Sequence, residues 1–107
     1  MLNQIIIVGR LVQDPEIKEL ENGQRVSYIT LAVPRSWKNS DGIYETDFIE
    51  CALLNTVAES TVKYCNKGDT LGIKGRIQTR KQENKNIMEI VAEKVTFISS
   101  RKENEEE

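Results

Sequence analysis

The sequence predicts a mainly β domain, a five-stranded barrel with one short helix between the third and fourth strands. Three observations lead there. Apolar and polar residues alternate with period two over several stretches, Pro and Asn-Gly signals divide those stretches, and a helix-start signature stands between two of them. At 107 residues the chain is long enough for one core and too short for two, so residues 1–100 are expected to form one domain and 101–107 a short acidic, disordered tail.

Ile5, Ile6, Ile7 and Val8 form a continuous apolar run ahead of Gly9-Arg10-Leu11-Val12, the pattern of a strand buried on both faces by barrel closure or by a second subunit. Asp14-Pro15 stops it, because proline gives no ladder donor and restricts the residue before it. Asn22-Gly23 predicts a hairpin turn with positive φ at both positions. The second strand covers 25–33, with Ser27, Ile29, Leu31 and Val33 on one face and Val26, Tyr28, Thr30 and Ala32 on the other; Pro34 is expected to end it. Residues 35–43 read as a polar loop, and the third strand, 44–54, turns Ile49, Cys51 and Leu53 inward and Phe48, Glu50, Ala52 and Leu54 outward.

Thr56-Val57-Ala58-Glu59 is a capping-box pattern with Thr56 at the N-cap. It opens a helix to about residue 65, with Ala58, Val62 and Cys65 on one stripe and Lys67-Gly68 closing it. The fourth strand, within 69–82, places Leu71, Ile73 and Ile77 on an apolar face and Lys74, Arg76, Gln78 and Arg80 on a basic one. Gly72 and Gly75 inside it mark a barrel corner or a close backbone approach. After a polar turn at 82–86, residues 87–98 make the last strand. Five strands with a helix in this place match the OB-fold, a partly open Greek-key barrel.

Charge narrows the function. Glu103, Glu105, Glu106 and Glu107 supply four of the 17 acidic residues and follow all 15 basic ones, so the chain before them has 15 bases against 13 acids, a net of +2. A weakly basic body permits a nucleic-acid partner without demanding one. The absence of histidine removes the commonest general base, and Cys51 and Cys65 are spaced too widely for a CxxC motif, so buried thiols, no metal, no cofactor and no catalysis are expected. No apolar run reaches membrane-spanning length and no signal peptide opens the chain, which points to the cytoplasm.

The basic face of the fourth strand suits an anionic partner, or simply solubilises an edge. Trp37, between Arg35 and Lys38, is either a core anchor beneath its loop or a stacking platform flanked by phosphate contacts, and the platform is preferred. Phe48 points outward, as a binding feature or as part of a subunit interface.

In order and spacing, several segments resemble the bacterial single-stranded DNA-binding proteins. They are Leu2-Asn3-Gln4 entering Val8-Gly9-Arg10-Leu11, Asp14-Pro15-Glu16, Asn22-Gly23, Thr30-Leu31-Ala32-Val33, Asp47-Phe48-Ile49-Glu50-Cys51, Lys67-Gly68 and Gly75-Arg76-Ile77-Gln78-Thr79-Arg80. The resemblance covers residues 1–98. It implies a homotetramer, with a dimer as the fallback, whose outer sheet surfaces and hairpin loops wrap single-stranded DNA. Trp37 and Phe48 fall where that family places stacking aromatics. Leu54 stands where some members have phenylalanine, and Gln82 where tryptophan or tyrosine is usual. Each lost stack costs on the order of 1–3 kcal/mol, so binding is expected to be weaker and more salt-dependent. Glu50 is an acid on the face assigned to DNA, and the sequence offers no reason for it.

The expected function is therefore sequence-independent binding and protection of single-stranded DNA in replication, recombination or repair. Arg10, Lys18, Arg35, Lys38, Lys74, Arg76, Arg80 and Lys81 would meet phosphates, Trp37 and Phe48 would stack on bases, and Leu54 belongs to the same surface. Two alternatives are a primosome-type OB module that bridges replication proteins, and an RNA-binding OB domain. Family members commonly end in a linker and an acidic tip with apolar residues that docks replication and repair enzymes. This chain ends in Glu103-Asn104-Glu105-Glu106-Glu107, which puts recruitment by that route in doubt.

Overall fold

The computed structural model describes residues 1–100, so the acidic tail expected over 101–107 lies outside the described residues. The elements run β1 (Ile5–Leu11), β2 (Lys18–Glu19), β3 (Arg25–Lys38), β4 (Tyr44–Leu54), α1 (Asn55–Tyr64), β5 (Thr70–Gln82) and β6 (Lys85–Ser99). Five long strands close into a barrel in the order β1-β5-β6-β4-β3, with β1 returning to β3 at Arg10↔Ala32 and Leu11↔Leu31. The β4–β6 pair is parallel and the others are antiparallel. The short β2, absent from the sequence reading, pairs with the start of β3.

Leu11, Ile29, Leu31, Cys51, Leu53, Leu71, Ile73 and Ala92 fill the barrel, and Ala58 of α1 and Cys65 at its C-cap join the same cluster. Each fully buried Leu or Ile contributes about 1.5–3 kcal/mol by leaving water. Two glycines make closure possible. A Cβ on Gly9 would lie 2.8 Å from Val33 Cγ2 and 2.9 Å from the Ala32 carbonyl oxygen, where β1 crosses onto β3. One on Gly75 would lie 2.1 Å from the Val91 carbonyl oxygen, beside the register shift that bends β5 and β6 together. Gly75 thus fulfils the close-approach reading.

Several expectations are corrected. Within one protomer the apolar run of β1 is buried on one face only, since Ile7 and Leu11 enter the core while Ile6 is 70% and Val8 51% exposed, so barrel closure does not cover the second face and only the second-subunit alternative is left for it. Within one chain the barrel has a single interior, so alternation wins over the run. At the β2–β3 turn only Gly23 takes a positive φ, because the Leu20 carbonyl accepts from the Gly23 N–H and the Asn22 side chain from the Gln24 N–H. Pro34 does not end β3. It pairs with Thr46 beyond the reach of β1, where no neighbour needs its missing N–H, and the strand runs on through an irregularity to Lys38.

Residues 35–38 therefore extend β3 into a two-stranded ribbon with the start of β4, and 39–43 are its turn, with the Asn39 side chain accepting from the Asp41 and Ile43 N–H groups. The capping box does not form. The helix leaves β4 directly, with Leu54 at its N-cap and Asn55 at φ 50°, and Glu59 pairs with Arg25 rather than reaching back. Thr61 is buried in place of Val62, its hydroxyl donating to the Val57 carbonyl at 2.8 Å. Ile77 emerges from the barrel, where the Asn3 side chain bonds its backbone N–H and carbonyl at 2.9 and 2.6 Å like one more strand residue.

Candidate nucleic-acid interface

The outer face of the barrel gathers some of the expected residues and separates others. Arg10, Ala32 and Phe48 are successive cross-strand partners on β1, β3 and β4, which puts Arg10 about 10 Å from Phe48. Arg10 also lines a groove of about 460 Å³ at the foot of the β3–β4 ribbon, with Val8, Pro34 and Thr46. Phe48 is 68% exposed, and Trp37 on the ribbon is 71% exposed and does not anchor the core. Lys38 holds its Nζ 5.7 Å from the centroid of the Tyr44 ring. Leu54 is half-buried where β4 meets the helix.

Arg35 is committed elsewhere. Its Nε and Nη2 donate to the two Asp47 oxygens at 3.1 and 3.0 Å, and its Nη1 donates to Glu45 at 2.6 Å. This clasp spans the irregular part of the ribbon. The hydrogen bond to Asp47 holds the Arg35 pKa above its ordinary value, and the same bond holds the Asp47 carboxyl below the usual range.

A second set lies on the β5–β6 ribbon, which turns at Glu83 and Asn84, both at positive φ. Arg80 Nε donates to Glu89 at 2.9 Å, Gln78 donates to the other Glu89 oxygen at 2.7 Å, and Arg76 Nη1 donates to Gln78 at 2.6 Å. Arg76 also lies 3.9 Å from Glu93. The Glu89 hydrogen bond raises the Arg80 pKa, the Glu89 charge adds to it, and the charge of Glu50 makes a smaller contribution. Lys74 sits farther along β5, between Ile6 of β1 and Lys94 of β6. Among the described residues Arg10, Lys18, Lys74 and Lys81 form no ion pair.

Sequence reasoning passed over Tyr28, 42% exposed on the outer face of β3, although its alternation with Ile29 already placed it outside. It also passed over Lys67, which has no such signal, since it reaches this face through the fold: its backbone N–H donates to Asp14 at 2.7 Å. Both line a polar cleft of about 470 Å³ between the outer sheet face and residues 13–18, together with Lys18, Thr30 and Glu50. Burial pushes the Cys51 thiol up to about 11 and raises that of Cys65, and among the described residues no group of His, Cys, Asp and Glu is arranged to hold a metal. No described helix is long and apolar enough to cross a membrane.

Comparison with known proteins agrees with this geometry. Single-stranded DNA-binding protein B of Bacillus subtilis is 43% identical over 103 residues, spanning 92% of this chain and 91% of that protein. A single-stranded DNA-binding protein of Staphylococcus aureus strain MRSA252 is 40% identical over 110 residues, 98% of this chain and 70% of the relative. The solved Plasmodium falciparum SSB in complex with ssDNA superposes with a TM-score of 0.78 at 26% identity, covering 92% of this chain and 96% of that one. The sequence model of the single-strand binding protein family matches residues 2–98, and the chain belongs to that family.

Proposed function

We propose that this chain binds single-stranded DNA with little regard to sequence, by stacking bases on Trp37 and Phe48 and meeting phosphates with the unpaired cations around them. The observation that carries the reading is the exposure of these two large aromatics on the ribbon and outer sheet, where burial gives them no structural purpose. Arg10 beside Phe48, Lys38 beside Trp37, and Lys18, Lys74 and Lys81 farther along supply the electrostatic part. Arg35, Arg76 and Arg80 join only by exchanging a carboxylate for a phosphate. The role is protection of exposed strands during replication, recombination or repair in the cytoplasm, and it needs no catalysis.

Self-association belongs to the same reading. Among the described residues no strand pairs with the edge of β1 over residues 5–8 on the side away from β5, and Ile6 and Val8 are exposed beside it, so a second copy would both extend the sheet and cover apolar surface. A homotetramer is expected, with a dimer as the fallback. Light scattering at micromolar protein checks it, and a monomer mass would remove wrapping around several subunits.

Trp37 fluorescence should be quenched as oligo-dT is added, and Trp37→Ala should weaken binding without lowering the unfolding midpoint. Unchanged fluorescence at saturating DNA defeats the platform. Oligo-U and duplex DNA in the same titration separate a single-strand DNA binder from an RNA-binding domain.

A further inference from the structure

We propose that the cleft between the outer face of β3–β4 and residues 13–18 takes one unpaired nucleobase and reads its amino group, with guanine preferred and thymine disfavoured. This rests on the single-strand reading above and adds a base-selective position to a path otherwise tolerant of sequence. The cleft's volume of about 470 Å³ falls in the range of small-molecule sites. Its walls divide the work of holding a nucleotide. Tyr28, 42% exposed, offers a ring for stacking, Lys18 and Lys67 offer cations for the flanking phosphates, and Glu50 offers a carboxylate on the sheet face; Asp14 and Glu16 add two more carboxylates on the opposite wall, Asp14 already accepting from the Lys67 backbone N–H.

Glu50 is the informative member. Directly opposite Thr30, it has no hydrogen bond or ion pair among the described residues, so both oxygens are available. A carboxylate repels a phosphate and only accepts hydrogen bonds, so the part of a nucleotide it admits is a base edge rich in donors. The Watson–Crick edge of guanine presents N1–H and N2–H side by side, two parallel donors for two oxygens. Cytosine and adenine each present one amino group. Thymine sets its lone N3–H between two carbonyl oxygens, whose lone pairs oppose the carboxylate. The acid with no evident purpose on a DNA-binding face thereby acquires one.

The test compares dissociation constants at fixed low salt for oligo-dT and for TTG and TTA repeats of the same length, using the full chain and three variants. The wild type should bind the TTG repeat about fivefold more tightly than oligo-dT. Glu50→Gln presents one acceptor and one donor, which can pair with an edge of any base, thymine included, so the preference for the TTG repeat should be lost. Glu50→Ala should lose both preferences and gain affinity for oligo-dT. Tyr28→Ala should weaken all three by about fivefold or more. If Gln and Ala at position 50 raise every affinity by one common factor, Glu50 is merely a repulsive charge and the proposal is overturned while the single-strand reading stands. If the wild type binds none of the three, that underlying reading falls, and the proposal falls with it.

Discussion

Replacing Glu89 with Gln should strengthen DNA binding, and the size of the effect follows from the pairing on the β5–β6 ribbon. Glu89 takes hydrogen bonds from Arg80 at 2.9 Å and from Gln78 at 2.7 Å, so one carboxylate neutralises a guanidinium on the proposed DNA path. Glutamine keeps the shape and an acceptor oxygen but removes the charge. A single strand releases about 0.7 counterions per phosphate neutralised, so one freed cation steepens the plot of log affinity against log salt by about 0.7. Over a fourfold change from roughly 50 to 200 mM salt, the variant's advantage over wild type should shrink by about 2.6-fold. Fluorescence anisotropy of a labelled oligo-dT across that range measures it. Adding Arg80→Ala to the variant should return the slope to the wild-type value or below. Parallel wild-type and Glu89→Gln lines with no change in affinity would refute the reasoning and remove Arg80 from the path.

Three further outcomes follow from the barrel and the β3–β4 ribbon. The Ser27 hydroxyl is fully buried and has no hydrogen-bond partner among the described residues, so Ser27→Ala should raise stability by about 1 kcal/mol, seen as a higher urea midpoint at unchanged slope; a lower midpoint would mean the hydroxyl is satisfied. Gly75→Ala sets a methyl 2.1 Å from the Val91 oxygen and should cost about 3 kcal/mol or more, so a melting temperature equal to the parent's would contradict the close approach. The Arg35 hydrogen bond depresses the Asp47 pKa, so its share of stability is present above the unfolded value of about 3.9 and lost as pH falls through the lower folded value. NMR should therefore show ribbon amides 35–47 loosening only below about pH 4, and Arg35→Gln should return the Asp47 titration to the ordinary range.

How much of this was legible depended on whether local pattern or long-range pairing decided the outcome. Period-two alternation placed Ile29, Leu31, Cys51, Leu53, Leu71 and Ile73 in the core because each strand has one interior to face. The fate of Pro34 was not legible, since a proline breaks a central strand but not a stretch whose only partner lies on its carbonyl-compatible side, and which it is depends on where β1 stops. The capping box failed for a similar reason: β4 runs straight into the helix, so Thr56 lies inside its first turn, and Arg25, thirty-four residues away in sequence, takes Glu59. At the candidate interface, Trp37 and Phe48 could be read from composition and alternation, whereas the Tyr28 cleft could not. Its walls come from residues 13–18, β3, β4 and the turn after the helix, which only the fold assembles.

The same pairing revises how strongly salt should control binding. The sequence offered eight cations for phosphates, and the structure places Arg35, Arg76 and Arg80 against carboxylates. A phosphate that displaces a carboxylate exchanges one exposed ion pair for another, a difference of well under about 1 kcal/mol. Arg10, Lys18, Lys38, Lys74 and Lys81 are left to release counterions. For an oligonucleotide short enough to engage one protomer, five such contacts give a salt slope of about −3.5, or about −4.2 with Lys67 of the cleft, against about −5.6 if all eight contributed without it. On the proposed path the affinity that persists at high salt comes from stacking on Trp37, Phe48 and Tyr28, and substituting any of them should lower affinity by a similar factor at low and high salt. A measured slope near −5.6 would show that the arginines leave their carboxylates at no cost, and that the ion pairs of the free protein do not shape its hold on DNA.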